Sequence, residues 1–209
     1  MSDEAENLNS LAGPQARLDE LDLADMVRLD SGHDGALNEL MERHAGKLFN
    51  YIIRCLQNDE DAADLVQEAF VRVYQNRARF DSNQRFLTWL YAIATNLVKD
   101  RYRWRSRHPQ VSLDADTDGT GADFKNSLPE SRPTPDESLA TSDRANAVRR
   151  AIGALPEELR TPLILSEYEE LSHTEVGALL KCSAKAVETR LYRARQQLRM
   201  SLKTLLITD

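Results

Sequence analysis

The chain has 209 residues, is 41% hydrophobic and 29% charged, and carries a formal net charge of −7. This composition suits soluble helices in one large or two small domains. No apolar run approaches the length of a membrane span, and the acidic, polar start MSDEAENLNS is not expected to be a signal peptide. The two cysteines, Cys55 and Cys182, are far apart, with no CxxC or His/Cys ligand spacing. That argues against a structural zinc, and the reading is two reduced thiols in a cytoplasmic protein with no cofactor and no metal.

Net charge alone argues against nucleic acid, but its distribution does not. Residues 1–42 hold eleven acidic and two basic side chains, and residues 109–143 hold eight and two. Lysine and arginine gather instead at 99–107 and 181–203, so two basic patches are set in an acidic chain.

In chain order, residues 1–20 are expected to be a disordered extension. A short helix is expected over about Asp22 to Leu29, ended by Asp30-Ser-Gly-His, and a longer one from Asp34 to Leu56. Leu37, Leu40, Met41, Leu48, Tyr51, Ile52 and Cys55 recur there at helical spacing. His44 lies on that helix and is given no role.

The next helix can be capped by Asn58 or Asp59, with acids in its first turn where the dipole favours them. Ala62, Leu65, Ala69 and Val73 form its inner stripe. Glu60, Asp64, Gln67, Glu68 and Val71 point the other way, with Phe70 at the edge. A solvated acidic face is the plain reading; the exposed Val71 among polar groups suggests a protein-binding surface.

Phe80 to Arg85 reads as a loop. The helix from about Phe86 to Arg107 is expected to bury Phe86, Trp89, Leu90, Ile93 and Leu97, with Trp104 at the margin. Thr88, Tyr91, Thr95, Asn96, Lys99, Tyr102 and Arg103 are expected to face outward. Its end, Arg101-Tyr-Arg-Trp-Arg-Ser-Arg107, alternates arginine with other residues, two of them aromatic. Arginines bind phosphates and aromatic rings stack on unpaired bases.

Residues 108–140, with three prolines after Gly119 and Gly121 and many acids, read as a flexible acidic linker. A helix follows over about Thr141 to Ala154. Leu155-Pro156-Glu157-Glu158 starts another, and Pro162 either kinks it or marks a true start at Thr161.

The last segment carries a helix-turn-helix pattern. Ser172 and Glu175 have capping-box spacing, Lys181-Cys-Ser183 makes a turn, and a second helix starts at Ala184. Val187, Leu191, Ala194 and Leu198 fall on one face, with Lys185, Thr189, Tyr192, Arg193 and Gln196 opposite. Those groups suit phosphate anchoring and major-groove reading. A merely solvated basic face is the alternative, and the capped helix and tight turn before it weigh against that. The expected fold is all-α, two small helical domains joined by the linker.

These motifs resemble the bacterial sigma factors of the sigma-70 family, in particular the two-domain extracytoplasmic-function (ECF) group. Asp61-Ala-Ala-Asp-Leu-Val-Gln-Glu-Ala-Phe70, Phe86-Leu-Thr-Trp-Leu-Tyr-Ala-Ile-Ala-Thr-Asn-Leu-Val-Lys-Asp-Arg101, Leu155-Pro-Glu-Glu-Leu-Arg160 and Leu171-Ser-His-Thr-Glu-Val to Thr189-Arg-Leu-Tyr-Arg-Ala-Arg195 follow the family's order. The resemblance spans roughly residues 25 to 203. It implies sigma domain 2 over 21–107 and sigma domain 4 over 141–209.

The resemblance also implies roles. Asp61, Asp64, Gln67, Glu68 and Val71 would dock on the clamp helices of the β′ subunit of core RNA polymerase. Ser82, Asn83 and Arg85 lie in the loop that captures a flipped base of the −10 element. Asn96, Lys99, Asp100, Arg101 and Arg103 lie on the helix that reads and melts it. Arg160, Lys185, Glu188, Thr189, Arg190, Tyr192 and Arg193 would contact the −35 element. Arg190 sits beside the apolar stripe, where a phosphate or structural role suits it better than base reading. The linker would thread toward the polymerase active site and RNA exit path, and the β flap and an anti-sigma factor are further implied partners. An anti-sigma factor would clamp the protein, which could then be held at the inner membrane.

Two residues depart from the pattern. Lys181 stands where the turn often has glycine, so a differently shaped turn is expected. Glu188 puts an acid on the DNA side and could shift −35 preference by accepting from a cytosine amine. The N-terminal extension has no clear counterpart. The implied function is a dissociable initiation subunit, not an enzyme, that directs polymerase to promoters and helps strand opening. A stand-alone helix-turn-helix repressor or activator would explain residues 171–199 but not the acidic helix or the arginine-rich one. A nucleic-acid-processing enzyme has no P-loop, metal cluster or nucleophile–base pair to support it.

Overall fold

The computed structural model describes residues 13–108 and 138–203. The acidic linker reading falls mostly on 109–137, outside the described residues, as does the expected disorder of residues 1–12. Among the described residues all regular structure is helical. The helices are α1 (Pro14–Asp30), α2 (Gly35–Leu56), α3 (Asp59–Gln75), a 3-10 turn (Arg77–Arg79), α4 (Phe86–Arg107), α5 (Ser138–Gly153), α6 (Glu157–Glu167), α7 (His173–Leu180) and α8 (Ala184–Ser201). No helix among them is long and apolar enough to cross a membrane.

The first half packs α1, α3 and α4 around α2. Its core is the stripe expected from periodicity: Leu40, Leu48, Ile52 and Cys55 of α2, then Ala62, Leu65, Ala69 and Val73 of α3, are all buried. Each fully buried leucine or isoleucine contributes about 1.5–3 kcal/mol relative to exposure. In the second half α6 and α7 pack on α8, burying Leu159, Leu163, Ile164, Val176, Val187 and Leu191.

The helical extent of the N-terminal segment corrects one expectation. Residues 14–20, assigned to disorder, begin α1 with Pro14 at its first turn. Proline lacks the N–H that would go unbonded there, and Asp19 is held by Arg85 at 2.9 Å. This helix turns acids inward: Asp22 and Asp25 are buried while Leu21, Leu23 and Val27 are exposed. The cause is the opposite face of α2, where Arg43 donates to Asp22 at 2.9 Å and to Asp25 at 2.5 Å. His44, buried against Phe86, lies 2.8 Å from the Asp22 carboxylate. His44 is therefore a core group.

Helix α4 is buried more widely than one stripe. Tyr91 and Thr95, expected to face outward, are each about 1% exposed. Thr95 shares a hydrogen bond with Tyr51 at 2.8 Å, and the Tyr91 hydroxyl donates to Glu169 of the second half. Phe70, expected at an edge, is also buried. A wheel assigns one inner face, whereas α4 is covered by the α2–α3 pair on one side and by α7 on another. Helix α5 starts at Ser138, inside the span assigned to the linker. Pro162 lies within one continuous helix from Glu157, with Pro156 as its N-cap.

The halves touch through α2 with α5 and α6, and α4 with α7. Arg54 pairs with Glu169 at 3.7 Å and its guanidinium lies 4.3 Å from the Tyr168 ring centroid. Arg85 reaches Glu175 at 3.5 Å.

Candidate nucleic-acid interface

The helix-turn-helix is built by its caps. Ser172 Oγ accepts from Glu175 N at 3.3 Å, and the Glu175 carboxylate accepts from Ser172 N at 2.9 Å, so the expected capping box closes. Burial would raise the Glu175 pKa, but the Ser172 bonds and Arg85 outweigh it and lower it. Lys181 adopts the left-handed conformation, φ 54° and ψ 47°. The turn is therefore the glycine-type turn made with lysine, not a differently shaped one, because the Cys182 N–H to Gly177 carbonyl bond at 2.9 Å fixes it. Ser183 then caps α8, accepting from Ala186 N at 3.1 Å.

The close crossing of α7 over this turn needs Gly177. A Cβ there would lie 2.7 Å from the Cys182 carbonyl oxygen. Sequence reasoning passed over Gly177, although a glycine inside a short capped helix was a visible signal.

The outer face of α8 is as the wheel has it. Lys185, Thr189, Tyr192, Arg193 and Gln196 are exposed, as is Glu188, and Val187, Leu191 and Ala194 are buried. Lys185 pairs with Glu188 at 2.7 Å, which lowers the Glu188 pKa. The acid thus neutralises a neighbouring lysine in the free chain. Thr189 Oγ1 donates to the Lys185 carbonyl at 2.9 Å. Arg190 is half-buried with Nη1 3.5 Å from Cys182 Sγ, the inward placement its position on the wheel suggested. Arg160 stands apart from this face. It donates to the carbonyl of Leu155 at 2.7 Å and to Tyr102 Oη at 2.9 Å.

On α3, Asn58 is the cap, accepting from Asp61 N at 2.7 Å. Asp64, Gln67 and Val71 are exposed along one face, and Glu68 pairs with Arg72 at 2.8 Å. Asp61 points away from them and accepts from Arg101 and Arg105 of α4.

The loop before α4 exposes Ser82 and Asn83. It is shaped by Asp81, whose carboxylate accepts from Asn83 N and Nδ2 at 2.9 Å each. Arg85 is tied to Asp19 and Glu175. Asn96, Asp100 and Arg103 are exposed and Lys99 is half-buried. Phe80 and Trp89 pack at 5.2 Å beside a 190 Å³ cleft lined by Arg72, Asn76, Arg79, Trp89, Ile93 and Asn96. Among the described residues no cluster of His, Cys, Asp and Glu could hold a metal. Burial pushes the Cys55 thiol up to about 12.

Residues 40–108 match the family Sigma-70 region 2, and residues 145–198 match Sigma-70, region 4. The chain is 34% identical over 179 residues to the ECF RNA polymerase sigma factor SigW of Bacillus subtilis, covering 85% of this chain and 95% of that protein. It is 31% identical over 182 residues to the RNA polymerase sigma-H factor of Pseudomonas aeruginosa, covering 86% and 92%. Among solved structures it is similar to CnrH in complex with the cytosolic domain of CnrY, with a TM-score of 0.63 and 25% identity, covering 90% of this chain and 99% of that one. The chain belongs to the extracytoplasmic-function group of the sigma-70 family, the RNA polymerase sigma factors that direct polymerase to promoters.

Proposed function

We propose that the exposed face of α3, with Asp64, Gln67, Glu68 and Val71, docks this chain on the β′ clamp helices of core polymerase. In this reading the loop with Ser82, Asn83 and Arg85 and the helix with Asn96, Lys99, Asp100, Arg101 and Arg103 engage and open the −10 element. Lys185, Glu188, Thr189, Tyr192 and Arg193 read the −35 element, with Arg190 bracing the turn. Arg160 contacts that element only once released from the first half. The chain would perform no chemistry of its own; polymerase supplies it, while unstacked bases trapped on α4 assist opening.

The observation that carries this reading is the grouping of exposed side chains on two helix faces. Asp64, Gln67 and Val71 are exposed together on α3, and the groove-reading side chains are exposed together on α8. Arg54, Arg85 and Arg160 are engaged between the halves, which supports a second, closed state that an anti-sigma factor could hold. The similarity to CnrH, which was solved in complex with the cytosolic domain of CnrY, supports a protein partner for this chain as well. The expected location is cytoplasmic, at the membrane only when such a regulator holds it there.

The test is transcription in vitro with core polymerase from the same source, on a pool of genomic promoter fragments. Specific starts should depend on the chain and weaken with Asp64→Ala/Gln67→Ala. Sequence-specific duplex binding by the chain alone, with no starts, would favour a stand-alone repressor or activator instead.

A further inference from the structure

We propose that Asp61 is not a polymerase contact but a positioning residue for promoter opening, which fixes Arg101 and Arg105 at the end of α4. The inference rests on α4 being the −10 helix.

Asp61 lies one turn before Asp64 on α3, yet the two differ in surroundings. The Asp61 side chain is 15% exposed, whereas Asp64 is on the open face. Both Asp61 oxygens are engaged: Oδ1 accepts from Arg101 Nη1 and Oδ2 from Arg105 Nη2. Its backbone N–H is held by the Asn58 cap at 2.7 Å. Arg105 Nη1 also donates to the Leu56 carbonyl at 3.1 Å, the last residue of α2. Asp61 therefore sits where the ends of α2, α3 and α4 meet, with little surface left for a partner.

Its effect on α4 follows from charge. Arg101 and Arg105 are four residues apart on one helix, where like charges repel. One carboxylate between them removes that repulsion and leaves a net positive charge on the three side chains. A guanidinium has five N–H donors; Arg101 gives one to Asp61, so donors remain for phosphate oxygens. The adjoining groove is lined by Asp64 and Glu68 of α3 and by Asp100, Arg101, Trp104 and Arg107 of α4. Asp61 thus holds the cationic end of α4 in one arrangement before DNA arrives, and the ordering cost is met in folding rather than in binding. It also locks the docking helix to the −10 helix, so both move as one body.

The experiment uses the full chain as holoenzyme and compares Asp61→Asn, Asp61→Glu and Asp64→Ala/Gln67→Ala. Core-polymerase affinity, thermal melting and the rate of strand opening at saturating polymerase are measured. Asp61→Asn should leave core affinity within about twofold and slow opening by about tenfold, the effect of roughly one lost charged hydrogen bond. Asp61→Glu should recover most of the opening rate, while Asp64→Ala/Gln67→Ala should act on core affinity. A loss of core affinity in Asp61→Asn with opening unchanged at saturation would make Asp61 a docking residue. Equal loss in Asn and Glu variants alongside lowered melting would reduce it to a structural group, and no effect at all would also overturn the proposal. A wild-type holoenzyme that opens no promoter would instead remove the initiation reading, and this inference with it.

Discussion

The Arg160 guanidinium donates to the backbone carbonyl of Cys55 at 2.5 Å, joining residues 105 apart in sequence. It also binds the Gly153 and Leu155 carbonyls and Tyr102 Oη. One side chain therefore ties the end of α5 and the start of α6 to the first half. Arg160→Ala should lower the stability of the full chain by about 2 kcal/mol, the worth of charged hydrogen bonds to partly buried carbonyls. Arg160→Lys should recover only part of this, because a single ammonium cannot reproduce the fork. Denaturant unfolding of the three proteins measures both effects.

Glu169 gives the contact between the halves a pH dependence. Its burial raises its pKa, against the opposing effects of Tyr91, Arg54 and Lys47. The folded state thus holds its proton to higher pH than the unfolded chain, whose ordinary value is 4.5. This contribution to stability is fully present below that value and is lost as pH rises through the folded pKa. Glu175 has the opposite sign, so the informative quantity is the difference between Glu169→Gln and wild type. Melting across this range should show the variant gaining on wild type as pH rises; a constant difference would contradict the prediction.

Gly177→Ala should destabilise the second half although it sits in a helix. Alanine would gain about 1 kcal/mol in helix propensity. Its Cβ, 2.7 Å from the Cys182 carbonyl, forces a backbone shift costing about 1–3 kcal/mol. The clash wins or at best breaks even, and it moves α8 relative to α7. Binding to a −35 duplex should fall, while core-polymerase affinity, which the proposed reading assigns to α3, should stay.

Lys181→Gly should act in the other direction. A left-handed lysine costs about 1–2 kcal/mol, and glycine returns about 0.4–1 kcal/mol of that as extra unfolded-state freedom. Since Lys181 is exposed, a net gain of about 0.5–1 kcal/mol is expected. Thermal melting of the variant checks it.

The sequence by itself determined most of the helices, the capping box of α7 and the two faces of α8. Ser172 with Glu175 and the stripe Val187, Leu191 and Ala194 act locally, over three to seven residues, so spacing alone revealed them; between Asn58 and Asp59 as the cap of α3, the structure chose Asn58. The order of its motifs was enough to reveal the family. Tertiary structure decided which polar groups are withdrawn from the surface. Asp61 looked like its neighbour Asp64 until α4 supplied two arginines 40 and 44 residues away. Tyr91 and Thr95 looked outward until Glu169 and Tyr51 met them, and Asp22 and His44 form a buried pair across two helices. The physical reason is that periodicity describes one helix against one interior. A polar group is buried only when a partner from elsewhere in the chain satisfies it, and chain folding alone brings that partner near.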